Sequence, residues 1–163
     1  MLHKFTDNLK KEKILSPRQI LSCEIRKLEE ALKPSGYFRI KSIRLRNLAK
    51  WWIENVKNDK PLYIEKGWEF LRNSLLSVNG VGRETADSIL LYSFCLPVFV
   101  IDAYTRRLAS RHFNIDYNID YDALQKIFSE NLPKDTCLFN EYHALIVRVG
   151  KEFCKKNKCS EKC

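Results

Sequence analysis

LLSVNGVGRETADSILLYSFCLPVFVIDAYTRR, residues Leu75 to Arg107, is the stretch that decides the fold. Leu75, Leu76 and Val78 close an apolar helical run. Gly80, Val81 and Gly82 follow as a turn whose two glycines allow backbone conformations and close approaches that a side chain would block. A second helix is expected from about Arg83, because Ala86, Ile89, Leu90 and Phe94 recur at helical spacing. The pattern is a tight helical hairpin over 69–94. Its turn sits at a helix N-terminus, where backbone N–H groups lack intrahelical partners and attract phosphate. Pro97 then breaks the pattern, Val98 to Ile101 reads as a buried extended run, and Asp102 opens the next helix. A carboxylate at that position is a natural cap, and the helix dipole helps to hold it ionised. Turn and carboxylate are 20 positions apart, from Gly82 to Asp102.

Outward from this stretch, helical periodicity dominates. Helices are expected at Phe5 to Lys13, from Ser16-Pro17, and through Ile25, Leu28 and Leu32 as far as the Pro34-Ser35-Gly36 loop. From Arg39 to Val56, Ile40, Ile43, Leu48 and Trp52 give a core face, with Arg39, Lys41, Arg44, Arg46 and Lys50 elsewhere on the helix. Trp68 to Leu76 makes the first helix of the hairpin, and a helix from Asp102 ends near His112. Ala123, Leu124, Ile127 and Phe128 stripe another that stops before Pro133. A last one, Cys137 to Cys154, repeats Leu138, Tyr142, Leu145, Val149 and Phe153 along one face. Period-two alternation is absent outside Val98 to Ile101, so the fold class is all-α. The expected division is a helical domain over 1–114 containing the hairpin and a C-terminal helical domain over 115–163.

With 163 residues, 45% of them hydrophobic, the chain can bury a substantial core. The net charge of +9 favours an anionic partner, nucleic acid ahead of a membrane surface. No apolar run approaches the ~20 residues needed to span a bilayer, and the start MLHKFTDNLKKEK lacks the apolar centre of a signal peptide. The expected location is the cytoplasm. There the six cysteines would stay reduced, and three of them, Cys154, Cys159 and Cys163, crowd into the last ten residues, which favours metal ligation over disulfides. Cys23, Cys95 and Cys137 sit in apolar contexts and read as small buried side chains.

GVGRETADSILLY…VFVIDAYTRR resembles the helix-hairpin-helix of the DNA glycosylase superfamily related to endonuclease III. Similarity of the same kind continues through NEYHALIVRVGKEFC, Asn140 to Cys154, and back into KPSGYFRIKSIRLRNLAKWW, Lys33 to Trp52. The resemblance implies the helix-hairpin-helix glycosylase fold and double-stranded DNA containing a damaged base as partner. It implies that the Gly80-Val81-Gly82 turn, with Arg83, holds a DNA phosphate and that Asp102 is catalytic. Tyr37 and Phe38, on a loop beside a basic helix, would wedge into or stack on bases, with core packing as the competing reading. Tyr104, two residues past Asp102, would touch the flipped base or pack between helices.

An enzyme that cleaves the bond between base and sugar must flip the nucleotide out of the duplex. A fixed carboxylate then stabilises the positive charge left on the sugar, or activates the water that collapses onto it. Family members that also nick DNA use a hairpin lysine, two positions after the second glycine, to form a Schiff base. Glu84 stands there, so the resemblance points to a monofunctional glycosylase of base-excision repair. A non-catalytic DNA clamp is the alternative, and Asp102 separates the two because a clamp does not need it.

The cysteine tail is similar to the family's [4Fe–4S] loop, which uses four cysteines. Cys154, Cys159 and Cys163 form an incomplete set, with four and three residues between them. A remnant of the cluster loop and a zinc site with a fourth ligand are the rivals. Family members also carry a further helical stretch ahead of the segment matching His3 to Lys13. A shortened family member, otherwise expected to be a monomer, would be weakly stable or self-associating and impaired in activity.

Overall fold

The computed structural model describes residues 2–58, 60–62 and 64–160, with side chains from Thr6 onward. Cys163, expected as a metal ligand, lies outside these, and so does the side chain of Phe5, at the start of the first expected helix. Nine α-helices occur among the described residues. They are α1 (Leu2–Lys11), α2 (Pro17–Ser22), α3 (Ile25–Leu32), α4 (Phe38–Asn55), α5 (Trp68–Leu76), α6 (Arg83–Tyr92), α7 (Ala103–His112), α8 (Tyr121–Asn131) and α9 (Thr136–Glu152). The all-α expectation holds, with one small addition. β1 (Val56–Lys57) pairs antiparallel with β2 (Lys60–Pro61), Val56 opposite Pro61. No described helix is long and apolar enough to cross a membrane.

The chain forms two compact units, residues 1–82 and 83–163. The boundary expected at 114 falls inside the second.

In the first unit, Leu9, Ile14, Ile20, Leu28, Ala31, Leu32 and Ala49 form the core, with Phe38 and Leu45 packed against them. α2 starts as the sequence predicts. Ser16 Oγ accepts from Gln19 N while Gln19 Oε1 accepts from Ser16 N, a reciprocal capping box with Pro17 in the first turn. Trp51 is buried, and its indole N–H donates to Ser74 Oγ at 2.8 Å, tying α4 to α5. The face of α4 differs from the expected one. Ser42, Ala49 and Trp51 are the buried positions, whereas Ile40 and Ile43 are 52% and 56% exposed. Small residues let α2 and α3 approach α4 closely, so its inward stripe is not its most apolar one.

In the second unit, Phe99 lies at the centre, stacked on Phe128 at 4.6 Å and meeting Phe139 edge-on at 5.3 Å. Val98 to Ile101 is extended and buried, as the sequence predicts, without belonging to a sheet. Side chains therefore satisfy its backbone. Gln125 Nε2 donates to the Phe99 carbonyl at 2.6 Å and to the buried Asp87 carboxylate at 2.8 Å, and Ile101 N donates to the Tyr121 hydroxyl at 3.3 Å. On α9 the buried stripe is Phe139, His143, Ile146 and Gly150, one position along from the expected face, and Leu138 and Leu145 are exposed. Cys95 and Cys137 are also exposed, against expectation. Cys95 lies in the turn after α6 with a left-handed backbone, φ 53°, and Cys137 is on the outer side of the first turn of α9.

Candidate functional site

The glycines of the 80–82 turn have different roles. Gly80 has φ 96°, and a Cβ there would collide with the Arg44 side chain, so the turn depends on this glycine for both conformation and packing. Asn47 Nδ2 donates to the Asn79 carbonyl at 3.0 Å, and Val81 turns inward to a buried position. α4 thus braces the turn from below. Gly82 is exposed, and a Cβ there would meet nothing within 4 Å. Its bare backbone leaves open space in which another molecule can approach the unpaired N–H groups.

Asp102 caps α7 as predicted. Its Oδ1 accepts from Thr105 N at 2.7 Å and from Thr105 Oγ1 at 3.0 Å. Its Oδ2 faces His143 Nε2 at 3.6 Å, an ion-pair separation too long for a hydrogen bond. The other ring nitrogen of His143, Nδ1, is hydrogen-bonded to the Tyr92 hydroxyl. Burial pushes the Asp102 carboxyl up, but His143 and the two Thr105 donors outweigh it and hold the pKa below the ordinary 3.8. Asp102 is therefore an ionised, largely shielded carboxylate. Burial and the Asp102 charge push the Tyr92 phenol up from 10.0, which keeps it protonated.

Glu84 belongs to the same electrostatic group. The protein around its carboxyl and the negative charge of Asp102 raise its pKa above 4.5, while His143 pulls it down. His143 contacts both Tyr92 and Asp102 and acts on Glu84 through its charge. Its i, i+4 relation to Phe139 and i+3 relation to Ile146 were the available signal, since a polar residue in a buried stripe needs a partner.

Tyr37 is 85% exposed with a left-handed backbone, φ 48°, at the start of α4, whereas Phe38 packs into the first unit's core. Arg83 pairs with Asp120 at 3.0 Å and Asp122 at 3.3 Å, which latches α6 to the start of α8. Tyr104 lies over Gly150 between α7 and α9, with the Arg107 guanidinium 5.1 Å from its ring centre.

Two basic hollows open along α7. One, of about 430 Å³, is lined by Tyr104, Arg107, Lys151, Lys155 and Lys156; the other, of about 480 Å³, by Arg107, Arg111 and Lys156. Ala103, the residue after Asp102, borders both.

After α9 the chain folds back on α7. Arg107 donates to the carbonyls of Cys154 and Gly150, and Arg111 to those of Lys155 and Lys156. These guanidiniums satisfy carbonyls left without helical partners at the end of α9. Cys154 and Cys159 face each other across an isolated antiparallel bridge. Their sulfurs and a ring nitrogen of His112, the last residue of α7, all lie within 4.8 Å of one another. Although burial opposes ionisation of the Cys154 thiol, His112, Arg111 and Cys159 lower its pKa to about 7. A [4Fe–4S] cubane does not fit this donor set. Its ligands are thiolates on separate irons at separate corners, whereas these three atoms crowd around one point and one of them is an imidazole nitrogen.

Residues 1–134 match the family described as HhH-GPD superfamily base excision DNA repair protein, and the chain belongs to that family. It is 44% identical over 158 residues to MJ1434 of Methanocaldococcus jannaschii, assigned as a DNA repair glycosylase, across 96% of this chain and 72% of the relative. It is 30% identical over 150 residues to endonuclease III of Sulfolobus acidocaldarius, across 91% of this chain and 64% of that protein. Among solved structures, Helicobacter pylori 3-methyladenine DNA glycosylase (MagIII) bound to 1,N6-ethenoadenine superposes with a TM-score of 0.76 at 28% identity, over 91% of this chain and 76% of that one. A trapped endonuclease III–DNA covalent intermediate shares the fold, with a TM-score of 0.75 at 20% identity over 96% and 68%.

Proposed function

We propose that the chain is a monofunctional DNA N-glycosylase that hydrolyses the bond between a damaged base and its deoxyribose in duplex DNA. The observation that carries this reading is the Asp102 carboxylate, kept ionised in a shielded setting by Thr105 and His143. As the base departs, positive charge develops on the sugar, and a fixed carboxylate stabilises that charge or takes the proton of the attacking water. His143 is a positioning residue that acts through Asp102. The open backbone at Gly82 and the basic hollows lined by Arg107, Lys151, Lys155 and Lys156 supply phosphate contacts without base specificity. Alkylated adenine is the first substrate class to try, because the MagIII structure holds an ethenoadenine.

The test is base release by the whole chain from duplexes carrying one ethenoadenine, one methylated, one oxidised or one deaminated base. Release is expected from at least one, with Asp102→Asn abolishing release while leaving DNA binding intact. Binding without release on every duplex overturns the reading and leaves a clamp. With Glu84 at the hairpin position, no borohydride-trapped adduct with an abasic sugar is expected. A trapped adduct would show that another amine acts as nucleophile.

A further inference from the structure

We propose that His112, Cys154 and Cys159 bind a single tetrahedral zinc-type ion, which pins the C-terminal tail to the end of α7. This is independent of the glycosylase reading and differs from the four-thiolate cluster that the family resemblance implies. Zinc holds sulfur at ~2.3 Å and imidazole nitrogen at ~2.0–2.1 Å, so donors around one tetrahedral ion lie ~4 Å or less apart. All three ligand atoms lie within 4.8 Å of one another, with Cys159 Sγ 3.9 Å from His112 Nε2, and a shift of under ~1 Å closes them on one centre.

The backbone prepares the site. Residues directly opposite in an antiparallel bridge carry their side chains on the same face, so the Cys154–Cys159 bridge turns both sulfurs the same way. Ser160 N donates to the Phe153 carbonyl at 3.0 Å and Lys158 N to the Lys155 carbonyl at 3.3 Å, which closes the loop between the cysteines. Arg111 Nη1 lies 3.4 Å from Cys154 Sγ, where a guanidinium offsets thiolate charge and orients the ligand from outside the coordination shell. The same guanidinium fixes the carbonyls of Lys155 and Lys156. The ion would hold Lys155 and Lys156 in place as walls of the basic hollows.

The experiment uses the whole chain purified without oxygen or chelator. Elemental analysis is expected to give ~1 zinc per chain, with no stoichiometric iron or inorganic sulfide. Cobalt substitution should give the absorption of tetrahedral thiolate-bound Co(II). Removing an outer-shell partner of a metal ligand already costs ~10–100-fold in affinity, so His112→Ala is expected to weaken cobalt binding ~100-fold or more. Cys137→Ser, on an exposed thiol away from the site, should leave it unchanged. If His112→Ala does not fold, X-ray absorption at the zinc edge of the unaltered chain decides, with sulfur and one or more nitrogen scatterers expected. Iron with matching sulfide, a chain that retains no zinc, an all-sulfur shell, or a folded His112→Ala protein with unchanged cobalt affinity would each overturn the proposal.

Discussion

His143 Nε2 faces Asp102 Oδ2 at 3.6 Å, and the side chains of both are almost wholly shielded, at 10% and 12% exposure. The Tyr92 hydroxyl is hydrogen-bonded to Nδ1, which leaves Nε2 to face the carboxylate. Apart from Asp102, Nε2 has no partner among the described residues.

From this follows a pH prediction. The Asp102 pKa is depressed below 3.8, so its contribution to stability is present above that value and is lost as pH falls through the folded pKa. Activity that needs the ionised acid falls over the same range. His143→Phe removes a cause of the depression, and the acid limb of the pH–rate profile should move up. An acid limb that stays where it was would show that His143 packs beside Asp102 without acting on it.

Glu84 gives the opposite sign. Its folded pKa is raised above 4.5, so its ionisation opposes folding; the relative stabilisation present below 4.5 is lost as pH rises through the folded value. Glu84→Gln should accordingly raise Tm at neutral pH and leave it nearly unchanged well below 4.5. Melts that shift equally at both pH values would place the effect outside charge.

Tyr104 and Gly150 set the spacing of α7 and α9. A Cβ on Gly150 would approach Tyr104 Cδ1 to 2.5 Å and Tyr104 Cβ to 3.0 Å. Gly150→Ala should therefore cost ~1–3 kcal/mol despite the better helix propensity of alanine. In a Tyr104→Ala background the ring is absent, and the same change should cost much less. Denaturant melts of the four proteins measure the coupling, and additive effects would contradict the packing of this pair.

The hairpin, the extended run at Val98 to Ile101 and the Asp102 cap were legible in the sequence because glycine, proline and a capping carboxylate act locally. The faces of α4 and α9 were not. Along α9, Leu138 and Leu145 are more apolar than His143 and Gly150, and periodicity alone chose the leucines. What turns the helix is close approach, Gly150 against Tyr104, together with a polar pairing, His143 with Asp102, and both depend on residues tens of positions away. His112 was invisible as a ligand candidate for the same reason, being 42 positions from Cys154 and brought near it by the Arg107 and Arg111 latches.

The turn glycines allow binding to be separated from folding. Gly80→Ala forces a side chain into φ 96° and against Arg44, so it should lower Tm and weaken DNA binding together. Gly82→Val meets open space, so the protein should melt normally while the added methyls block the approach of a phosphate to the turn. The expected weakening for Gly82→Val is ~tenfold in duplex affinity, about 1.4 kcal/mol. Affinity of the unaltered chain should fall steeply with salt, and the logarithmic slope of Gly82→Val should be shallower by ~0.9, because one fewer phosphate is engaged. Fluorescence anisotropy over a salt series measures both. If Gly82→Val melts normally and binds duplex DNA with unchanged affinity and slope, phosphate is held by the Arg107 and Lys151 hollow and not by the hairpin.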